Sequence, residues 1–170
     1  MASNLTTTHL TPQEAIIDAQ IRMVQALDDN DPDLLASAFT PTATYDLRPF
    51  SLLGLEFGLL SGRDNIVPTL LAAVGKMDTT HTLSNFRTKI SSDGKSAHLT
   101  CYTYAQHFRP GQGQPHAFGN GFLMGNRYEG DLVLDESGGI WRFERFVLWC
   151  VWSQGDFGEF EDAVKENERK

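Results

Sequence analysis

The sequence contains few cysteines and none of the common patterns that bind metals or nucleotides. Cys101 and Cys150 are its only cysteines and lie far apart in apolar runs, so no CxxC or cysteine–histidine spacing suits a structural zinc ion. The GxGxxG, P-loop and HExxH patterns are absent as well. We therefore expect no metal and no organic cofactor. So few cysteines are also typical of a reduced, cytoplasmic protein.

Runs of basic residues and long apolar segments are missing too. Lys and Arg are scattered, and the formal net charge is −8, which argues against binding to nucleic acid or to an anionic membrane surface. No apolar run is long enough to span a membrane, and the opening residues MASNLTTTHL do not resemble a signal peptide. We expect the partners to be small molecules or copies of the chain itself.

The helical signals come first in the chain. At 170 residues and 41% hydrophobic content, the chain predicts one domain that is large enough for an enclosed cavity. Thr11-Pro12-Gln13-Glu14 is a capping box with proline at the first helical position, and it predicts a helix to about residue 28. Asp31-Pro32 begins a second, short helix, and Gly62-Arg63-Asp64 begins a third that ends near Gly75.

Strand signals dominate the rest. A short strand is predicted over 43–48, and long β-rich runs cover 80–91, 95–109, 121–135 and 140–152. Turn signals join the long runs, so we expect an antiparallel sheet, bent at bulges because its strands are so long. The predicted fold class is α+β, with a strongly curved antiparallel sheet wrapped around three N-terminal helices and enclosing a pocket. Residues 52–62 fit neither pattern.

The domain boundaries follow from these elements. We expect a disordered N-terminal segment over 1–10, one domain over 11–153, and a tail over 154–170. The tail is charged and is predicted to be either a short surface helix or disordered.

Asp28 stands where the first helix requires an apolar residue. Ile17, Ile21 and Val24 form a stripe at helical spacing, and position 28 continues it. A carboxylate that faces the core needs a partner, and histidine is well suited to pair with it and to move protons near neutral pH. The alternative is that Asp28 has left the helix and lies in a solvated loop.

Three segments carry a resemblance to a known family: LDDNDPDLLASAF, HTLSNFR and GGIWRFERFVLWCVW. Together with the order of the elements, they resemble the SnoaL-like branch of the NTF2-like superfamily, which includes scytalone dehydratase, hexachlorocyclohexane dehydrochlorinase and bile-acid dehydratases. The resemblance covers about residues 11–153, and QGDFGEFEDAVKENER is similar to the C-terminal extension of scytalone dehydratase. It implies the cone-shaped NTF2-like fold.

The resemblance also implies a catalytic pair. In the eliminating members, an aspartate at the end of the first helix pairs with a histidine on the strand after the third helix, and these positions match Asp28 and His81. Phe86 and Ile90 are apolar and expected to face the core, so strict alternation along the strand would turn His81 outward. A bulge in the strand would reconcile this expectation with the inward histidine that the resemblance implies.

Further residues are candidates for the substrate pocket. Tyr45 could donate a hydrogen bond to a carbonyl or pack in the core; scytalone dehydratase has a tyrosine nearer the position of Leu47. His107 shares a face with small residues, as a cavity wall would, or ends its strand beside solvent. One of the three residues from Asn126 to Tyr128 could face inward.

The last strands add one charged and three aromatic candidates. Arg145 is expected to act either as a clamp on a leaving group or as a structural ion-pair partner of Asp28 or Glu144. Phe118, Phe122 and Trp149 are expected to be walls of the core or pocket.

These residues lead to alternative functions. The first is a cofactor-independent dehydratase, cyclase or isomerase of secondary metabolism, acting on a ring-bearing polyketide- or terpenoid-like molecule, with His81 as the general acid/base and Asp28 orienting it. The second is a non-catalytic NTF2-like binding or assembly module. A weaker third is a structural subunit similar to the β subunit of ring-hydroxylating dioxygenases. We also expect a homodimer or homotrimer that associates through the outer sheet face.

Overall fold

The computed structural model describes residues 9–53, 58–114, 121–158 and 161–162. Its elements in chain order are α1 (Pro12–Asp28), α2 (Pro32–Ser37), β1 (Phe39–Asp46), a 3-10 helix (Arg48–Leu53), β2 (Leu59–Ser61), α3 (Arg63–Leu70), a π-helical turn (Leu71–Gly75), β3 (Asp78–Ile90), β4 (Ser96–Phe108), β5 (Gly121–Asp135) and β6 (Ile140–Gly155). The predicted order of three helices followed by long strands is confirmed.

The six strands form one sheet in the order β2-β1-β6-β5-β4-β3. The long strands β3 to β6 pair antiparallel, as predicted. The sheet as a whole is mixed, because β1 runs parallel to β6. The helices pack against the inner face of the curved sheet, so the α+β architecture with a sheet around three helices is confirmed. In the segment 52–62, which had no assignment, Leu52 and Leu53 end the 3-10 helix and Leu59–Ser61 form the edge strand β2, while residues 54–57 lie outside the described residues.

Helix α1 is fixed over the sheet at its start and in its middle. The predicted capping box is present: the Thr11 backbone N–H donates to Glu14 Oε2 at 2.8 Å, and the Glu14 N–H donates to Thr11 Oγ1 at 3.3 Å. The buried Arg22 guanidinium donates to the carbonyl oxygens of Ser37 and Trp141, each at 2.6 Å. These bonds tie α1 to the end of α2 and to β6. They fix the position of α1 and therefore the position of its last residue relative to β3.

A bulge in β3 decides which side chains of that strand face inward. Ser84 pairs with Tyr102 and Arg87 with Thr100, so Asn85 and Phe86 together lie opposite one residue of β4. Asn85 has a φ of 54°, in the left-handed region that asparagine tolerates better than most residues. The extra residue reverses the alternation, so His81 faces inward although Phe86 also packs against the core.

A second bulge, in β6, turns outward some side chains that were predicted to line the pocket. Leu132 pairs with Phe143 and Asp131 with Arg145, which leaves Glu144 as an extra residue. Phe143 is fully buried and Glu144 is exposed. From Arg145 to Val151 the side chains therefore point to the faces opposite to those expected from Phe143, until a further bulge at Val151 restores the alternation.

Parts of the predictions lie outside the described residues. They are Phe118, residues 1–8 of the N-terminal segment, and residues 159–160 and 163–170 of the tail. No helix in the described part of the chain is both long and apolar enough to cross a membrane.

Candidate active site

Asp28 is the last residue of α1, so it lies within the helix and not in the loop that follows. Its Oδ1 lies 2.6 Å from His81 Nδ1, and its Oδ2 accepts the His81 backbone N–H at 3.0 Å. The side chains of His81 and Asp28 are 4% and 21% exposed. The sequence placed these two residues in one pair, and the structure brings them into contact.

The contact determines where the neutral imidazole carries its proton. An ionised carboxylate only accepts hydrogen bonds, so Nδ1 of His81 is the protonated nitrogen. Nε2 then keeps its lone pair. The second carboxylate bond, to the backbone of the same residue, prevents Asp28 from rotating away. His81 is thus held in one orientation and one tautomer by a single carboxylate.

A second imidazole lies beside the first. The rings of His81 and His107 are 5.5 Å apart and nearly perpendicular, at 72°. His107 Nδ1 lies 2.8 Å from Thr79 Oγ1, and the Thr79 hydroxyl donates to the Gln106 carbonyl at 3.0 Å. A hydroxyl has one proton to give. Because that proton goes to the carbonyl, His107 Nδ1 is the donor to Thr79, and its Nε2 carries the lone pair.

The two histidines differ in their surroundings. His107 is 2% exposed, and burial, followed by the nearby charge of His81, lowers its pKa well below the ordinary value. His107 is therefore neutral at neutral pH. His81 has a carboxylate at 2.6 Å to stabilise its charged form, whereas His107 Nδ1 contacts the neutral hydroxyl of Thr79. The site contains one imidazole suited to carry a proton and one suited to accept a hydrogen bond.

Both imidazoles line a cavity of about 90 Å³. Its remaining walls are two tyrosines and eight apolar side chains: Tyr45, Tyr128, Leu27, Leu47, Phe50, Leu70, Ala73, Val74, Met124 and Leu148. Such a lining, with a few polar groups in fixed positions, is typical of small-molecule sites.

The two tyrosines supply neutral hydroxyls. Tyr45 and Tyr128 are both 2% exposed, and burial raises the pKa of each well above the ordinary value. The Tyr45 ring stacks on Phe146 at 4.7 Å, and the Tyr128 ring meets Phe146 edge-on at 5.1 Å. The hydroxyls therefore stay protonated and are available as donors. Tyr128 was one of three residues on β5 expected as candidates to face inward. Strict alternation along the strand from the inward Phe122 would have placed it on the inner face.

The other two inward candidates on β5 lie close to the cavity but outside its lining. Asn126 and Phe122 are buried on the inner face, whereas Arg127 is exposed on the outer face. Phe122 pairs in register with His107 and meets Phe157 edge-on at 5.1 Å. Phe122 belongs to the core behind the site, whereas the side chain of Asn126 lies next to the Tyr128 hydroxyl.

The placement of Arg145 and Trp149 in the pocket was wrong. The Arg145 side chain is 45% exposed and binds Glu129 and Asp131 at 3.1 and 3.0 Å. It pairs with neither Asp28 nor Glu144. Trp149 is 45% exposed. The bulge at Glu144 turns both side chains to the outer face, and Phe146 and Leu148 take the inner positions.

Among residues 9–53, 58–114, 121–158 and 161–162, no group of three histidine, cysteine, aspartate or glutamate side chains is arranged to hold a metal ion. Both cysteines are buried and free.

The fold is shared with solved structures. A putative scytalone dehydratase from Novosphingobium aromaticivorans superposes with a TM-score of 0.68 at 24% identity, over 88% of this chain and 90% of that one. Hexachlorocyclohexane dehydrochlorinase from Novosphingobium barchaimii superposes with a TM-score of 0.67 at 16% identity, over 88% and 93%. At these identities the similarity shows the fold.

The sequence relationships are more specific. The terrestric acid biosynthesis cluster protein E of Penicillium crustosum is 35% identical over 152 residues, which cover 89% of this chain and 90% of that protein. The SnoaL-like domain matches residues 8–147. The chain therefore belongs to the SnoaL-like family of the NTF2-like superfamily, as its sequence segments indicated.

Proposed function

We propose that this protein is a cofactor-independent dehydratase, cyclase or isomerase of secondary metabolism that acts on a ring-bearing polyketide- or terpenoid-like molecule. The observation that carries the proposal is the buried Asp28–His81 pair at the wall of an apolar cavity. A protein that only held an apolar ligand would gain nothing from this pair, because burying polar groups costs free energy. The relative named for a terrestric acid biosynthesis cluster supports a role in secondary metabolism.

His81 is the general base in this proposal. Its Nε2 lone pair takes a proton from a carbon next to the substrate's carbonyl group, and the electron pair of the broken C–H bond moves towards the carbonyl oxygen. Asp28 then stabilises the imidazolium across the 2.6 Å contact. The same contact keeps the reactive nitrogen turned away from α1.

The carbonyl oxygen gains negative charge in that step and needs hydrogen-bond donors. Tyr45 and Tyr128 line the cavity with protonated hydroxyls, and donors placed in a site with little water stabilise developing charge strongly. We assign the two phenols to this role. Each would bind the enolate more tightly than the starting ketone.

The His81 imidazolium completes the reaction by returning its proton. Delivery to a leaving hydroxyl group expels water as the enolate collapses, which is dehydration. Delivery to a different carbon gives isomerisation. In both cases His81 returns to its neutral form. His107 accepts a hydrogen bond from a substrate hydroxyl through Nε2 and so positions the substrate beside His81.

The first test uses a panel of cyclic β-hydroxyketones with the purified protein in D₂O. Loss of water is followed by the absorbance of the conjugated enone, and proton abstraction by deuterium in recovered ketone, measured by mass spectrometry. We expect turnover to fall by roughly 10²–10⁴-fold in His81→Ala, the usual contribution of general acid–base catalysis. Binding of the enone product should change much less.

A matched control exists on the outer sheet face. His98 and Asp131 form the same kind of pair, at 2.7 Å, but their side chains are 43% and 45% exposed. His98→Ala should keep full turnover. If wild type binds these ketones but abstracts no proton, the non-catalytic binding module is the better description. Normal turnover in His81→Ala would instead show that His81 is not the general base.

A further inference from the structure

Two polar side chains are buried behind the cavity without hydrogen-bond partners. Thr103 on β4 and Asn126 on β5 are 1% and 3% exposed, and both lie outside the cavity lining. Among the residues that the structure describes, nothing forms a hydrogen bond with Thr103 Oγ1 or with either polar atom of the Asn126 amide. Burying unpaired polar groups costs free energy, so their presence needs an explanation.

These two side chains face each other beside the Asp28–His81 pair. Thr103 pairs in register with Asn126, and residues paired in this way have Cβ atoms about 4.5–5.5 Å apart. His81 pairs with Ala105, which lies two residues along β4 from Thr103. Thr103 and Asn126 therefore occupy the inner row of the sheet that is next to the row of His81.

The hydroxyl of Tyr128 is the group that both side chains approach. Tyr128 follows Asn126 by two residues on the inner face of β5 and lines the cavity. Burial raises the pKa of its phenol, whereas Thr103 and Asn126 act in the opposite direction. A neutral group lowers the pKa of a phenol by donating a hydrogen bond to its oxygen. The charge of Asp28 also reaches this hydroxyl, so the phenol oxygen lies between the two polar side chains and the end of α1.

We propose that Thr103 and Asn126 are positioning residues for Tyr128: both donate hydrogen bonds to the phenol oxygen and direct its proton into the cavity. The inference rests on the proposed function, in which the Tyr128 hydroxyl stabilises the enolate oxygen. An oxygen that accepts hydrogen bonds is a stronger donor through its own proton. Hydrogen bonds that serve catalysis often tighten only as charge develops on the substrate, which explains why the three groups lie close together here without short bonds.

The opposite arrangement makes the opposite prediction. If the phenol donated its proton to the amide oxygen of Asn126, that proton would point away from the cavity. Removing the amide would then release the phenol and raise turnover. In the proposed arrangement, the same change removes a donor and lowers turnover.

The test measures kcat and KM of Asn126→Leu and Thr103→Val in the ketone assay. We expect kcat to fall about tenfold in Asn126→Leu and several-fold in Thr103→Val, less than the loss of an oxyanion donor itself. KM should change little, because neither side chain lines the cavity. Thr103→Ser keeps the hydroxyl and should keep kcat. In a Tyr128→Phe background, both substitutions should have almost no further effect, because the group on which they act is gone.

Stability gives a second readout, which separates positioning from a structural role. The polar atoms of Thr103 and Asn126 are unpaired in the described part of the fold, so Thr103→Val and Asn126→Leu should keep or increase the stability to urea while kcat falls. Thr40→Val on β1 is the matched control. Thr40 Oγ1 is also buried without a partner among the described residues, but Thr40 is no part of the cavity lining, so kcat should stay unchanged.

A third readout does not depend on turnover. 4-Nitrophenolate, an aromatic oxyanion that mimics the enolate, is titrated into each variant and followed by its absorbance. Asn126→Leu should weaken its binding about tenfold, roughly the effect expected on kcat, since both report donation to an oxyanion. Weakened binding in Asn126→Leu together with no proton abstraction by wild type would support the positioning role and reject the proposed enzyme activity.

Three results would overturn the inference while leaving His81 as the base. They are an unchanged or raised kcat in Asn126→Leu, an equal loss from Asn126→Leu with and without Tyr128→Phe, and 4-nitrophenolate binding that is the same in wild type and Tyr128→Phe. Loss of turnover in His81→Ala would still support the proposed function in each case.

Discussion

Asp28 holds His81 through both carboxylate oxygens, one at the imidazole Nδ1 and the other at the backbone N–H of the same residue. Both atoms that face the carboxylate are therefore donors. The backbone donor cannot change, whereas the imidazole can move its proton from one nitrogen to the other. The carboxylate thus determines the tautomer as well as the position of His81.

Asp28→Asn should reverse that tautomer. The amide oxygen can accept the backbone N–H, and its NH₂ group then donates to Nδ1, which must give up its proton to Nε2. Nε2 would no longer be a base, so turnover should fall by roughly 10²–10⁴-fold with the fold intact. The ¹⁵N shifts of the His81 ring measure the tautomer directly. Retention of the Nδ1–H form in Asp28→Asn would contradict this account of the pair.

Thr79 should control the tautomer of His107. Thr79→Val removes the hydroxyl that accepts from His107 Nδ1 at 2.8 Å. Without this acceptor, the proton is no longer favoured on Nδ1 over Nε2. We expect ¹⁵N spectra to show His107 as Nδ1–H in wild type and Thr79→Ser, and as a mixture in Thr79→Val. If Nε2 of His107 binds the substrate hydroxyl, KM should rise in Thr79→Val.

The control for this experiment is Thr82→Val on the same strand. Thr82 is exposed and lies away from His107, so this variant should keep the wild-type spectrum and KM. An unchanged His107 tautomer in Thr79→Val would show that other contacts determine it.

His107 should make the protein less stable in mild acid. Its pKa in the folded protein lies well below the ordinary value of 6.5. As the pH falls below 6.5, the unfolded chain takes up a proton there and the folded chain does not, so stability is lost. One such group contributes a slope of at most about 1.4 kcal/mol per pH unit.

Urea unfolding at several pH values between 7 and 5 measures this slope. The free energy of unfolding should fall less steeply with pH in His107→Gln than in wild type. His98→Gln gives the contribution of an exposed imidazole for comparison. Equal slopes in wild type and His107→Gln would mean that His107 takes up its proton as readily in the folded as in the unfolded protein.

The sequence predicted the features that depend on local patterns. The capping box placed α1. The stripe that marked Asp28 as an inward carboxylate was only partly right, because Val24 is buried but Ile21 is 43% exposed. Turn signals between long β-rich runs predicted the antiparallel part of the sheet. The partner of Asp28 came from the family resemblance, because no local pattern links residues that are 53 positions apart.

The errors arose from features that have no local pattern. β6 is apolar on both faces, since Phe146 and Leu148 lie inside while Trp149 and Val151 lie outside. Alternation therefore could not reveal the bulge at Glu144, whose extra residue reverses the side chains from Arg145 to Val151. The parallel pairing of β1 with β6 likewise depends on the packing of the whole chain. A bulge in β3 was anticipated only because two expectations for His81 disagreed.

The bulge in β3 should also determine the orientation of His81, through the backbone conformation of Asn85. Asn85 is exposed and has a φ of 54°, so its substitution tests the backbone with little change in packing. Asn85→Gly should keep stability and turnover close to wild type, because glycine adopts positive φ readily. Asn85→Val should lose about 1–2 kcal/mol of unfolding free energy, because a β-branched residue is strained there.

If the strand relieves the strain by losing the bulge, His81 and Phe86 can no longer both face inward, and turnover falls as well. Urea unfolding and the ketone assay measure the two effects, with Thr82→Val as the control for a valine elsewhere on β3. Equal stability of the Gly and Val variants would show that the bulge does not depend on the conformation of Asn85.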